Sequence, residues 1–532
     1  MGVELEFRIS AQTHSRKADG SFVFVGAKGI RMIVMKFGGT SVESAEAIER
    51  VARIVASRRK QSPVVVVSAM AKVTDNLVAM GHNATSGNCG RSLESLEIMR
   101  QRHHRTAGAL LGHKRAAAIA PKLEAQFREL ENFLRGLAAV RELTPRGSDF
   151  LLSFGELLSS IIVADAFKSR GLNAAWVDSR DCLITDAAHS CAKPLMDETR
   201  ARCKKRIAPL IAKKNIPLLG GFIASTSDGV PTTLGRGGSD YSAAILGAAL
   251  NAESIEIWTD VEGMMTTDPR LCPDARTIKQ ISFNEAAELA YFGAKVLHPA
   301  TLLPAIHKNI PVYILNSRNL KSTGTEITAQ APRSKDTFRA ITAKTGISIV
   351  NVVASRGIMV HGFLRSVFEA LDRHSTSVDI VAISEVSMSF TMETKRLPKA
   401  LLSELEEIAD VTCEAQQAIV CLVGEDIHGR PGIAASVFNT IANAGVNIRM
   451  ISQGASEINI SFVVKEDDVA RAVRRLHEQF FPAAGRSADR KANGIARHGN
   501  SKAAAARQAV KTAGAVTARP KAAISITATT TP

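Results

Sequence analysis

The chain is poor in the features that would mark it as secreted, metal-stapled or membrane-bound. Seven cysteines stand at 89, 182, 191, 203, 272, 413 and 421, and no two form a C-x-x-C pair. That spacing points to reduced thiols in a cytoplasmic protein rather than to a disulfide frame or a zinc site. His103–His104 has no ligand cluster around it and reads as an exposed helical pair. No apolar run nears the ~18 residues of a membrane span. The densest, 63-PVVVVSAMA-71, reads as a buried strand, so no membrane partner is expected. The start, 1-MGVELEFRIS-10, lacks the basic and apolar regions of a signal peptide.

Charge is unevenly spread. The formal net charge is +16, but residues 483–532 carry nine Lys/Arg and one Asp, half of that excess. This tail is rich in Ala, Lys, Arg and Thr, and disorder is expected there. It has no interleaved aromatics, so no specific nucleic-acid partner is expected. Residues 1–31 read as an extension, with Met32 and Met35 as alternative starts.

From Met32 onward, strand-like and helix-like runs alternate: 32-MIVMKF-37, 64-VVVVSA-69, a helical stretch from about Leu93 to Glu142 broken near Pro121, 174-AAWVD-178, 217-PLLGGF-222, 254-SIEIWTD-260 and 311-PVYILNS-317. Such alternation predicts an α/β fold with a mostly parallel sheet, binding ligands at the carboxyl ends of its strands. One turn stands out, 232-TTLGRGGSD-240, before the helical run Tyr241–Leu250. Ser239 or Asp240 is a candidate N-cap, the glycines allow amides close to a ligand, and Arg236 offers a fork for a carboxylate or phosphate. Residues 318–337 read as a linker. Beyond it a strand–helix–strand–strand pattern occurs twice, from 347-ISIVNVV-353 and from 418-AIVCLVG-424. These are βαββαβ modules at about 338–411 and 412–482, and 338-FRAIT-342 is a candidate for the second module's sheet.

The segments 36-KFGGTS-41, 155-GE-156, 232-TTLGRGGSD-240, 258-WTDVEGMMTTDPR-270 and 293-GAKVLHPAT-301 closely resemble aspartate kinases of the amino-acid kinase superfamily. The paired repeats resemble that family's ACT regulatory domains. The resemblance covers about residues 32–482, in order. It implies an amino-acid kinase α/β/α sandwich over 32–317, followed by two ACT domains. The implied reaction converts ATP and L-aspartate to ADP and 4-phospho-L-aspartate, with Mg2+ held mainly by the ATP phosphates and no dedicated protein metal site. No dehydrogenase segment with G-x-G-x-x-G follows the repeats, and neither a Walker A sequence nor the protein-kinase motif set is present.

An aspartate carboxylate is ionised at neutral pH, so the attacking group needs no general base. The site must instead offset anion–anion repulsion and align the reactants. By the resemblance, Lys36 and Asp240 are catalytic. Ser68, Thr74, Glu156 and Arg236 bind aspartate, with Glu156 on the ammonium and Arg236 on the α-carboxylate. Lys36, Gly38, Gly39, Ser239, Thr259, Asp260, Met265, Arg270 and Lys295 line the nucleotide, Met265 standing where some members carry tyrosine. His298 is assigned a structural role before Pro299. An amino-acid effector is expected at Gly362, Phe363, Leu364, Ser377, Val378, Asp379, Ser384 and Glu385. Two carboxylates there favour lysine over threonine, although 357-GIMVH-361 departs from lysine-sensitive members. Asn447 and 453-QGASE-457 are expected at an interface between modules of a homodimer or larger assembly. A kinase of another carboxylate or a carbamate is disfavoured by Glu156, Arg236 and the repeats. A non-catalytic amino-acid sensor is disfavoured by Lys36, Arg236, Asp260 and Lys295.

Overall fold

The computed structural model describes residues 31–293, 297, 299–332, 336–354, 362–425, 427, 430–453 and 458–482. The amino-terminal extension, the basic tail, Lys295, His298 and residues 454–457 therefore lie outside the described residues.

The first unit begins with β1 (Ile33–Phe37), α1 (Ala45–Ser57), β2 (Val64–Val67), α2 (Val73–Thr85), α3 (Cys89–Val140), α4 (Pro145–Ser169) and β3 (Ala174–Val177). It continues through α5 (Met196–Arg206), α6 (Ala208–Ala212), β4 (Ile216–Gly220), β5 (Ile223–Ser225), β6 (Pro231–Thr233) and α7 (Gly238–Leu250). The remainder is β7 (Ser254–Thr259), β8 (Gln280–Ser282), α8 (Phe283–Tyr291), α9 (Leu303–His307), β9 (Val312–Asn316) and β10 (Thr325–Thr328). An eight-stranded sheet runs β3-β4-β2-β1-β7-β9-β10-β8. Its pairs are parallel except β9 with β10. Alternate residues of the central strands feed two apolar layers, as the period-2 geometry of a strand requires. Val34, Val64, Val66, Ile255 and Ile257 pack with α7 and α8. Met35, Phe37, Val65 and Val67 pack with α1 to α4. This is the expected α/β/α sandwich.

Five local expectations are corrected. His103, expected to be exposed, is fully buried in α3 against Phe127, with its Nδ1 2.8 Å from the Met99 carbonyl, because the helix turns that position into the apolar layer. The long helical stretch breaks at Gly112 (φ 69°), not at Pro121, which stays inside the helix. Glycine adopts that φ without a Cβ penalty, while proline gives up a single backbone hydrogen bond and remains helical. Helix α4 is long and apolar enough to cross a membrane by length and composition, but it is mostly buried inside the molecule. The stretch expected to be a linker contributes β10, which pairs with both β9 and β8. Helix α7 is capped by Gly237 (φ 72°) rather than by Ser239 or Asp240.

The second unit comprises β11 (Ala340–Ala354), α10 (Phe363–Arg373), β12 (Val381–Ile383), β13 (Ser387–Glu393), α11 (Lys399–Glu406) and β14 (Ala409–Val423). It ends with α12 (Ile433–Asn443), β15 (Met450–Ser452), β16 (Asn459–Lys465) and α13 (Val469–Phe480). One antiparallel six-stranded sheet joins both repeats, in the order β12-β13-β11-β14-β16-β15. Its two central strands are long and shared. Residues 340–344 of β11 pair with 419–423 of β14, beside the second repeat's β16. Residues 347–353 of β11 pair with β13 of the first repeat and with the opening half of β14.

The two units are tightly joined. Thr266 shares a hydrogen bond with buried His477 of α13 at 2.9 Å, and the Ile341 N–H donates to the Thr266 carbonyl at 2.7 Å. Arg339 pairs with Glu285 of α8 at 3.1 Å. A Cβ on Gly293 (φ 126°) would lie 2.5 Å from the Ala343 carbonyl oxygen, so only glycine fits there.

Candidate active site

The carboxyl end of β1 and the amino end of α7 meet at the middle of the parallel sheet. Lys36 lies between Val66 of β2 and Ile257 of β7 in register. Its Nζ sits 2.6 Å from Asp240 Oδ1, and both side chains are largely buried. The contact is ionic rather than an aligned hydrogen bond, because Asp240 Oδ1 has no well-directed donor. Asp240 lies in the first turn of α7, where the unpaired amides and the helix dipole stabilise negative charge.

The glycines beside Lys36 make room. The Gly38 N–H donates to the Trp258 carbonyl at 3.2 Å, and a Cβ at Gly38 would sit 3.7 Å from the lysine Nζ. At Gly39 a Cβ would press to 3.0 Å from the Ala69 carbonyl oxygen. Across the site, Gly221 lets Ser239 approach so closely that a Cβ would stand 2.7 Å from the serine Cβ.

Glu156 enters from α4. It is 3% exposed, its Oε1 accepts the Ala69 N–H at 3.1 Å, and its Oε2 has no partner. Burial pushes its pKa up to about 8, against the opposing pull of the Ala69 N–H and the charge on Lys36. Ser68 follows β2, its N–H held by the Phe37 carbonyl at 3.1 Å, and its side chain is half-buried. Thr74 is the second residue of α2 and is also half-buried. Arg236 is exposed on the turn between Gly235 (φ 74°) and Gly237 (φ 72°), and it makes no ion pair among the described residues.

Thr259 ends β7 beside β1, and its carbonyl accepts the Ser317 N–H at 2.8 Å. Asp260 follows it, exposed, and Met265 is half-buried. Arg270 sits differently from a phosphate-facing fork. Its guanidinium folds back on Asp268, Nη2 to Oδ2 at 2.6 Å, with the side chain 82% exposed. A carboxylate two residues away is a closer partner than any group across the site. Among the described residues no three His, Cys, Asp or Glu side chains gather as a metal site.

In the first repeat, Gly362 (φ 99°) caps α10, with Phe363 buried and Leu364 half-buried. Ser377, Ser384 and Glu385 are exposed, and Val378 is half-buried. Asp379 is already engaged: Lys344 Nζ lies 2.7 Å from its Oδ1 and 3.4 Å from Glu393, while Asp379 Oδ2 has no partner. Tyr291 of α8 donates to the Val378 carbonyl at 3.4 Å and lies under the Lys344 ammonium. Burial, together with Asp379, pushes the Tyr291 phenol up to about 12. The sequence reading did not single out Lys344, because its partner lies 35 residues away.

Comparison with known proteins adds a family. A model of the amino acid kinase family matches residues 31–316, and an ACT domain model matches 420–480. Aspartokinase 1, chloroplastic, of Arabidopsis thaliana is 38% identical over 472 residues, covering 86% of this chain and 81% of that one. Lysine-sensitive aspartokinase 3 of Escherichia coli (strain K12) is 36% identical over 460 residues, covering 85% and 99%. The crystal structure of E. coli aspartokinase III in complex with aspartate and ADP (R-state) superposes with a TM-score of 0.75 at 35% identity, over 85% of this chain and 100% of that one. With the Lys36–Asp240 pair at the carboxyl end of a parallel sheet and a regulatory sheet docked on it, the chain belongs to the aspartokinases, carboxyl-directed phosphotransferases of the amino acid kinase family.

Proposed function

We propose that this site phosphorylates the β-carboxylate of L-aspartate from MgATP, with Arg236 and Glu156 reading the amino-acid end. The observation that carries the reading is one arrangement. The Lys36 ammonium is paired with Asp240 at the head of α7 and acts on the buried Glu156, whose Oε2 is unpartnered, while Arg236 stands exposed on the turn that leads into the same helix. A bidentate Arg–carboxylate contact fits the α-carboxylate, and Glu156 Oε2 fits the ammonium. Ser68 and Thr74 supply hydroxyls beside the second strand.

In the transfer, a carboxylate oxygen forms a bond to the γ-phosphorus as the bond to the β,γ-bridging oxygen breaks, and ADP leaves with that electron pair. No proton moves to or from the attacking oxygen, so the transfer needs no general base. Lys36 neutralises charge on the transferring group, and Asp240 holds the Lys36 ammonium at that point. The amides of Gly39 and Ser239 line the phosphates, and Gly38 leaves the room for them beside the Lys36 ammonium. Magnesium bound to the ATP phosphates would neutralise their charge, and Asp240 would be the residue available to orient its shell. Thr259, Asp260 and Met265 form the adenosine side. Arg270 would reach phosphate by exchanging its hold on Asp268, and Lys295 is assigned to the phosphates by the family resemblance.

The repeats are read as the sensor of an amino-acid end product, lysine ahead of threonine, which stabilises one of two conformations. The lysine-sensitive E. coli relative and the carboxylates Asp379 and Glu385 support that choice. Exposed Ile383, Val386 and Ile451 near the sheet edges support assembly of two or more chains through the repeats.

The test is hydroxylamine trapping of the acyl phosphate with MgATP and L-aspartate, with and without L-lysine. Arg236→Ala should raise the aspartate KM ~30-fold or more, since removing one partner of a paired charge costs about 2–5 kcal/mol. The ATP KM should hardly change, and equal effects on both would overturn the Arg236 assignment.

A further inference from the structure

Asp149 sits two helical turns before Glu156 on α4 and is fully buried. It pairs with His189 and not with Lys36, and the proposed transfer gives it nothing to do. Its carboxylate is nonetheless saturated with donors from two other segments. His189 Nδ1 lies 2.8 Å from Oδ2, the Ser190 N–H reaches both oxygens at 3.0 Å, and the Thr233 hydroxyl donates to Oδ1 at 2.5 Å.

Thr233 ends β6, three residues before Arg236. The Ala192 N–H also donates to the Thr233 carbonyl at 3.0 Å. Ser190 takes a left-handed φ of 71°, and its carbonyl packs against the turn, so that a Cβ on Gly235 would lie 3.2 Å from it. One carboxylate therefore ties together the helix that carries Glu156, the loop around His189 and the strand that delivers Arg236. A buried carboxylate holds this geometry because leaving any of its oxygens unpaired is costly.

We propose that Asp149 and His189 are positioning residues that set the separation of Arg236 from Glu156, and so the fit of the amino-acid end of aspartate. The inference rests on the reading of Arg236 and Glu156 given above. A rigid pairing of two recognition groups lowers KM by fixing their spacing before substrate arrives.

The test compares His189→Ala, Asp149→Asn and Thr233→Val with Arg236→Ala in the full chain, by steady-state kinetics in both substrates. The expected result is an aspartate KM raised ~10-fold in the clamp variants, with the ATP KM within ~2-fold and kcat within ~3-fold, as for lost uniform binding. Added imidazole should restore the aspartate KM of His189→Ala and leave that of Asp149→Asn unchanged. Aspartate KM values that do not move, or that rise together with those for ATP, overturn the proposal. A rise in His189→Ala without imidazole rescue assigns the effect to general loosening and also overturns it. If Arg236→Ala leaves the aspartate KM unchanged, the underlying reading of Arg236 fails. If it raises that KM while the clamp variants do not, the clamp alone fails. Should Asp149→Asn not fold, the His189 and Thr233 variants carry the test.

Discussion

Glu156, proposed to receive the ammonium of aspartate, is buried with an unpartnered oxygen, and its charge is expected to change on binding. With its pKa pushed up to about 8 by burial, it is mostly protonated at pH 7 in the free enzyme. An ammonium brought to its unpartnered Oε2 favours the ionised form, so binding must release a proton. Calorimetric titration with aspartate at pH 7 in buffers of different ionisation enthalpy should show release of close to ~1 proton per site. In Glu156→Gln that release should vanish and aspartate affinity should fall. The sign for the free protein follows the same shift. A carboxyl raised above its unfolded value of 4.5 contributes stability in full below pH 4.5 and loses it as pH rises through about 8. Thermal midpoints of Glu156→Gln should therefore fall less than those of the parent between pH 5 and 8. Residues like this were legible because they sit in short contiguous motifs: Lys36 with Gly38 and Gly39, or Arg236 within GRGGSD. What the motifs did not convey was charge state, which depends on burial by α4, and partner choice, as with Arg270 folded on Asp268.

At the scale of elements, strands were readable where apolar runs were dense, and the parallel sheet followed from their alternation with helices. The cap of α7 was misread because Ser and Asp are good caps in isolation, whereas two adjacent glycines permit a left-handed Gly237 and leave Asp240 beside Lys36. The clamp on Asp149 was illegible for a different reason: its donors come from residues 40 or more positions away. The first repeat offers a test of element-level regulation. Lys344 of β11 holds Asp379 by Oδ1, so a lysine effector using that carboxylate must compete with a lysine of the chain itself for its charge. Lys344→Met should lower the L-lysine concentration for half-inhibition about 3- to 10-fold, because the competing ammonium is gone. Inhibition curves of the hydroxamate assay decide it, and an unchanged midpoint would mean that the effector does not use Asp379.

Across the whole molecule, two βαββαβ units were expected, and their fusion into one six-stranded sheet depends on β11 and β14 each running 15 residues, through a register shift near Gly346 and Gln416. Continuous β-rich sequence hints at such length, but pairing between halves of different repeats is a tertiary choice. The loop carrying Met265 and Arg270 is stitched to α13 through Thr266 and His477, and to β11 through the Ile341 N–H. Arg474 of α13 donates to the Leu271 carbonyl of the same loop at 2.8 Å. The wall proposed to receive adenosine thus owes part of its shape to the last helix of the regulatory sheet. Such a molecule is not severable. A fragment ending after β10 would leave the Thr266 carbonyl and hydroxyl without these partners and the apolar surface of α8 bare, and it should bind ATP more weakly than the full chain in a direct binding measurement. On the proposed reading of the repeats as a sensor, relief from feedback is then open to this chain by altering the joint and closed to it by shedding the sensor.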